Sequence, residues 1–253
     1  MNTADHLLDL LDAREGVVCA VGAGGKKSLL GQLATAHPGR VAITATVFTT
    51  HLHEHLGLAV IIEPDAELPA AVARLDPARS VFYACPGDKP GRRAGAGAGT
   101  IERIHREGRF IATYVKADGA RMRLIKAPAD DEPAMPECAT TVVPILSTRA
   151  IGEPLTARIA HRVERIEEVA GLRQDETIEP VHLGRLLVSP RGLMKATEAR
   201  RVVPVINMVD DAKREAQARE AAEHALALCP RLERVVLTCL ARTDTPVVAV
   251  VRR

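Results

Sequence analysis

Residues 17–34 read VVCAVGAGGKKSLLGQLA. Val17–Val21 is an apolar run of strand length, and Leu29, Leu30 and Leu33 recur at the spacing of a buried helix face. Between them lies Gly22-Ala23-Gly24-Gly25-Lys26-Lys27-Ser28. A strand, a Gly-rich turn and a helix N-terminus in this order suit a phosphate cradle. Glycines let backbone N–H groups approach an anion, and the helix end adds partial positive charge. In such a cradle Lys26 reaches the terminal phosphates and a hydroxyl holds magnesium. The strict pattern GxxxxGK[ST] is not met, because Lys27 follows Lys26 and Ser28 comes one place later. The spacing is nearer the compact GxxGK loops of some ATP-dependent ligases. A dinucleotide fingerprint would need glycine at Lys27 and an acidic residue where Thr46 stands. The alternative is a turn that only permits close strand–helix packing. Two lysines at a helix N-terminus oppose its dipole, however, and a bound anion is the natural compensation.

Outward from this turn, short apolar strands alternate with helical patterns. Strands are expected at Val41–Thr46, Ala59–Ile62, Val81–Ala84, Phe110–Val115, Thr141–Leu146, Val202–Ile206, Val235–Thr238 and Val247–Val251. Helices are expected at 4–13, 28–36, 68–75, 101–107, 162–170, 180–188 and 211–228. Cys85–Thr100, rich in Gly and Pro, is expected to be a mobile loop. The alternation predicts a three-layer αβα sandwich around a mostly parallel sheet, of the P-loop NTPase-like type, with ligands at the carboxyl ends of the strands. Residues 1–253 are taken as one such domain, with 150–253 as a candidate C-terminal subdomain completing the sheet.

Composition narrows the function. Aromatic residues make up 2% of the chain and Trp is absent, which leaves little to stack on bases; no nucleic-acid partner is expected. A net charge of +2 gives no global field toward DNA or an anionic membrane. No apolar run approaches the roughly 20 residues that cross a bilayer. Five scattered cysteines without a CxxC pair, and no signal peptide, suggest a cytoplasmic protein.

Further candidates lie after strands. FIATYVKADGARMRLIKAPADDEPAMP, residues 110–136, delivers Asp118 after an apolar run. A carboxylate there can hold magnesium, and Arg121, Arg123 and Lys126 can neutralise phosphate. The bland reading is a surface turn with solvated charges. Glu132 precedes a proline in the same segment. PVINMVD places Asn207 and Asp210 after a strand in partial likeness to the NKxD base-reading pattern, with Met208 in place of lysine; Asp210 could instead cap the helix that follows. His51, His53 and His55, with Glu54, could take a metal or be a hydrated loop. Thr44, Thr46, Thr49 and Thr50 could offer hydroxyls to phosphate or magnesium. Cys85 could be a sulfur- or selenium-handling thiol, and Arg92-Arg93 could close over an anion.

Together, VGAGGKKSLL, TATVFTT, KADGARMRLIKAPADDEPAMP and INMVD, in this order, resemble the YqeC-type proteins, described as accessory proteins of selenium-dependent molybdenum hydroxylases. The resemblance spans roughly residues 15 to 212. It implies a nucleotide-binding maturation factor using ATP or GTP with Mg2+, whose partner is a molybdenum hydroxylase or a molybdenum-cofactor protein. Carried over by position, the phosphate loop is Gly22 to Ser28, the acidic turn is Asp118 and the base-reading candidates are Asn207 and Asp210. The family usually has threonine where this chain has Lys27, so either Ser28 or a threonine of the second strand supplies the magnesium hydroxyl, or magnesium is held otherwise, or nucleotide turnover has been lost.

The expected mechanism has Lys26 and loop amides on the phosphates, Ser28 and Asp118 on magnesium, and Arg121 or Lys126 stabilising charge on a transferred phosphoryl group. A small-molecule kinase or ATP-dependent ligase is one alternative. A non-catalytic chaperone for cofactor or apo-enzyme is another.

Overall fold

The computed structural model describes residues 3–50 and 56–253. In chain order it contains α1 (Thr3–Leu10), β1 (Gly16–Gly22), α2 (Lys26–Ala36), β2 (Val41–Ala45), β3 (Thr49–Thr50), β4 (Ala59–Ile62), α3 (Leu68–Ala73) and β5 (Val81–Pro86). Then follow β6 (Arg92–Ala94), α4 (Ala98–Glu107), β7 (Ala112–Lys116), β8 (Ile125–Lys126), β9 (Ala139–Ser147), β10 (Ala160–His161), α5 (Val163–Ala170) and α6 (Pro180–Val188). The chain closes with β11 (Arg201–Val202), β12 (Val205–Asn207), α7 (Ala212–Leu228), β13 (Arg234–Thr238) and β14 (Val247–Arg252).

The main sheet runs β14-β13-β12-β9-β1-β7-β2-β5, with β4 on the far side of β5. All of these pairs are parallel except β13–β14. β1 sits centrally, and all seven of its residues but Gly16 are buried, as a parallel strand covered on both faces requires.

Side chains alternate between two cores. Val18 and Ala20 of β1 and Tyr114 of β7 face α1 and α2, packing on Leu7, Leu8, Leu11, Leu29, Leu30 and Leu33. Val17, Cys19 and Val21, with Val115 of β7, face α3 and α4 through Leu68, Val72, Ile101 and Ile104. Beyond β9, Leu146, Ile206 and Leu237 are covered by α6 and α7. The result is a three-layer α/β/α sandwich, as the alternation predicts, and one sheet runs through residues 16–252. Each buried leucine contributes about 1.5–3 kcal/mol.

Local signals set the helix ends. Asp211 caps α7 by accepting from the Arg214 N–H at 2.8 Å. The helix therefore starts at Ala212, and Asp210 is free of the capping role considered for it. α2 begins at Lys26 rather than Ser28, because Gly25 turns the chain at φ 141°.

Cys85–Thr100 is more ordered than its composition suggests. β5 and β6 form an antiparallel pair, β6 pairs β3, and α4 starts at Ala98. Gly95 makes this possible: a Cβ there would lie 2.1 Å from the Thr46 carbonyl carbon. A separate two-stranded sheet, β8 with β10, holds Lys126 beside His161.

Candidate functional site

The connection from β1 leads through α2 toward β2, while the one from β9 leads the other way, to β12. Adjacent β1 and β9 thus form the switch point at which open α/β sheets leave a crevice at their carboxyl ends. Gly22 to Ser28 follows β1 there. Asp118 lies two residues beyond β7, Ser147 ends β9 and Asn207 ends β12.

The loop conformation depends on its glycines. Gly22 has φ 96°, and a Cβ on it would lie 2.3 Å from the Ile145 carbonyl oxygen. A Cβ on Gly25 would lie 2.3 Å from Asn207 Nδ2. The Gly22 N–H donates to Asp118 Oδ2 (2.8 Å) and the Ala23 N–H to the Ile145 carbonyl (2.8 Å). The next five N–H groups, of Gly24, Gly25, Lys26, Lys27 and Ser28, have no acceptor among the described residues, and no side chain caps α2. Orphan amides at an uncapped helix N-terminus that carries two lysines form an electropositive concavity.

Below the loop is a buried charge network centred on Asp118. Lys26 Nζ lies 2.8 Å from Asp118 Oδ1 and donates to the Gly22 carbonyl. Lys126 Nζ lies 3.0 Å from Asp118 Oδ2 and donates to the Gly119 carbonyl at 2.6 Å. Lys126 also bonds Glu132 Oε2, which accepts from Arg162 Nη1 at 2.8 Å. Burial lowers the Lys26 pKa, opposed by the Asp118 carboxylate. Burial pushes Glu132 up, but Lys126 and Arg162 outweigh it and hold the carboxyl at about 2. Burial, helped by Arg162 and Lys126, lowers His161 to about 4, so it is neutral near pH 7.

Lys116, at the end of β7, is a fourth cation of this region and was not among the sequence candidates. It is buried, and its Nζ donates to the Phe48 carbonyl at 2.9 Å. Burial, then the charge of Lys26, brings its pKa down to about 7. Lys27 is directed to the same segment, donating to Thr50 Oγ1 at 2.7 Å. The signal in the sequence was the spacing of Lys116 and Asp118 in KAD, which puts both on one side of the strand.

Asn207 holds the loop in place. Its Nδ2 donates to the Gly24 carbonyl (2.7 Å), while Oδ1 accepts from Thr238 Oγ1 (3.0 Å) and the Leu240 N–H (3.1 Å). Asp210 accepts from Arg149 Nε (2.8 Å) and Nη2 (2.5 Å) and from the Cys239 thiol (3.3 Å). Met208 is tied to the end of β9 by Ser147 and Thr148. Both base-reading candidates thus have protein partners, Asn207 buried and Asp210 at the surface side of the same strand end.

The other candidates scatter. Arg121 is exposed on the turn after Asp118, where it and Met122 have φ of 46° and 62°; it forms no ion pair among the described residues. Ser28 is exposed on the first turn of α2 and shares no hydrogen bond with Asp118. Lys126 and the Gly22 N–H share Asp118 Oδ2, whereas Oδ1 is buried, faces Lys26 and has no hydrogen-bond partner among the described residues. The Cys85 thiol is pushed up to about 11 by burial and by Asp65, so it carries little thiolate near neutrality. Arg92 stacks on Phe48, with its guanidinium carbon 4.6 Å from the ring centroid. Thr44 bonds the Tyr83 carbonyl within the sheet. His51, His53 and His55 lie outside the described residues, among which no group of three or more His, Cys, Asp or Glu is placed to hold a metal. No helix among the described residues is long and apolar enough to cross a membrane.

Comparison with known proteins agrees with the quoted motifs. The family model described as "YqeC protein" matches residues 18–164, more than half of the chain. The chain is also 28% identical over 185 residues to "Uncharacterized protein YqeC" of Escherichia coli (strain K12), covering 72% of this chain and 71% of that protein. The matched region holds the Gly-rich loop, Lys116, Asp118, Lys126, Glu132 and Arg162. The chain therefore belongs to the YqeC family.

Proposed function

We propose that this protein binds the phosphates of ATP or GTP at the Gly22–Ser28 loop and acts as an accessory protein in the maturation of molybdenum hydroxylases or their cofactor. The observation that carries the nucleotide reading is the run of N–H groups from Gly24 to Ser28 without an acceptor among the described residues, at the switch point of the sheet, beside Lys26. The maturation role rests on the likeness of the motifs to YqeC-type proteins.

In this reading a phosphate oxygen takes the orphan N–H groups and draws Lys26 away from Asp118. Asp118 and Glu132 keep Lys126 and Arg162 neutralised, so the lysine released to the ligand costs the network little. With Lys26 drawn away, Asp118 Oδ1 is open to magnesium while Oδ2 stays with Lys126 and the Gly22 N–H; the nucleotide supplies further ligands, and Ser28 is a hydroxyl within the loop.

Isothermal titration of ATP and GTP tests this. Lys26→Ala should weaken both by roughly tenfold or more, the effect of removing a charge-assisted contact worth about 1.5–3 kcal/mol. Equal affinity in wild type and variant would refute the phosphate-loop assignment.

A further inference from the structure

We infer that Lys116 is a second anion-binding residue of this crevice, contacting a phosphoryl group other than the one taken by Lys26. The ligand class is then a polyphosphate of at least two phosphoryl groups; the inference rests on the phosphate-loop reading above. The four lysines around the loop fall into two pairs. Lys26 and Lys126 both contact Asp118, and Lys126 has Glu132 as well. Lys116 and Lys27 instead reach a neutral segment, at the Phe48 carbonyl and Thr50 Oγ1. Among the described residues neither has a carboxylate within ion-pair distance.

Lys116 is 8% exposed, so its ammonium is almost removed from water with one neutral acceptor. A buried ammonium without a counter-charge either loses its proton or gains an anion. The charged groups that act most on it among the described residues are Lys26, Asp118, Lys126 and Lys27, three of the four cationic. β7 places it at the crevice: its Cα pairs with Ala20 of β1 and Ala45 of β2, and the alternation that turns Tyr114 toward α2 turns Lys116 the same way. A neutral donor lies alongside. The Thr46 N–H bonds the Lys116 carbonyl at 3.1 Å, and Thr46 Oγ1 is buried with no partner among the described residues. An incoming phosphoryl oxygen would replace Phe48 as the acceptor of Lys116.

Titrating inorganic tripolyphosphate and monophosphate into wild type, Lys116→Met and Lys116→Arg distinguishes the cases. Wild type should bind tripolyphosphate at least tenfold more tightly than monophosphate. Lys116→Met should abolish that advantage, and Lys116→Arg should keep most of it. Full tripolyphosphate affinity in Lys116→Met would overturn the inference and leave the loop reading standing. Failure of wild type to bind tripolyphosphate or ATP would overturn both. Should Lys116→Met not fold, the Nζ resonance of Lys116 in 15N-lysine-labelled wild type decides. Its titration midpoint must rise when tripolyphosphate is added, and an unmoved midpoint overturns the inference.

Discussion

Asp118→Asn isolates the resting counter-charge of the crevice. The amide keeps the shape of the side chain and an oxygen for the Gly22 N–H, so that hydrogen bond is largely retained. What disappears is the negative charge between Lys26 and Lys126, whose side chains are 4% and 0% exposed. Lys126 retains Glu132, whereas Lys26 retains only the Gly22 carbonyl. Removing one partner of a buried pair costs about 3–5 kcal/mol. There is a ceiling, since Lys26 can shed its proton: taking a lysine from its ordinary pKa near 10.4 to neutrality at pH 7.5 costs about 4 kcal/mol. The expected loss is therefore about 3–4 kcal/mol, or roughly 6–16 °C in melting temperature for a chain of this size. Tripolyphosphate should then stabilise the variant more than wild type, because an anion replaces the missing charge without displacing a carboxylate. Saturation at about 100 times Kd adds about 2.7 kcal/mol. Thermal denaturation with and without tripolyphosphate reads both effects. A variant that melts within about 1 °C of wild type, or gains no more from the anion than wild type does, would refute the picture of Asp118 as the stand-in for phosphate.

Other perturbations test separate parts of the site. Asn207→Ala leaves the Gly24 carbonyl, the Leu240 N–H and Thr238 Oγ1 without their partner, and should cost about 2–4 kcal/mol in urea denaturation; a loss under 1 kcal/mol would mean that Asn207 does not hold the loop. Lys116 has a folded pKa of about 7 against an ordinary 10.5, so the unfolded chain binds the extra proton between these values and stability rises with pH across that window. Lys116→Met should flatten that rise and be the more stable protein at pH 7, by at most on the order of 5 kcal/mol; an unchanged slope contradicts the burial argument. For base recognition, Asp210→Asn should weaken GTP more than ATP in competition binding, and equal effects would leave Asp210 as the partner of Arg149.

The fold was legible where burial dictates pattern. Val17–Val21 and Leu29, Leu30 and Leu33 lie in β1 and α2 because an apolar run and a 3.6-residue spacing admit few other arrangements. The β3–β6 pairing was not legible, since two- and three-residue strands carry no periodicity and Gly95 looks like a loop former until Thr46 is packed against it. The Gly-rich loop and Asp118 were readable as neighbours from their places after strands. Their direct contact through Lys26 was not, because 96 residues separate Gly22 from Asp118. Asn207 illustrates the limit of a short motif: its type and place after β12 suit base reading, yet the fold brings the Gly24 carbonyl and the Leu240 N–H to its carboxamide. Lys116 went unnoticed because a lysine at a strand end ordinarily reaches water, and only the packed segment 46–50 buries it.

Backbone amide NMR during titration with ATP tests the phosphate cradle most directly. The N–H resonances of Gly24, Gly25, Lys26, Lys27 and Ser28 should move downfield together and become protected from exchange, while those of Gly22 and Ala23, already bonded to Asp118 and Ile145, change little. Resonances of the five loop amides that stay fixed at ATP concentrations up to the millimolar range would contradict it.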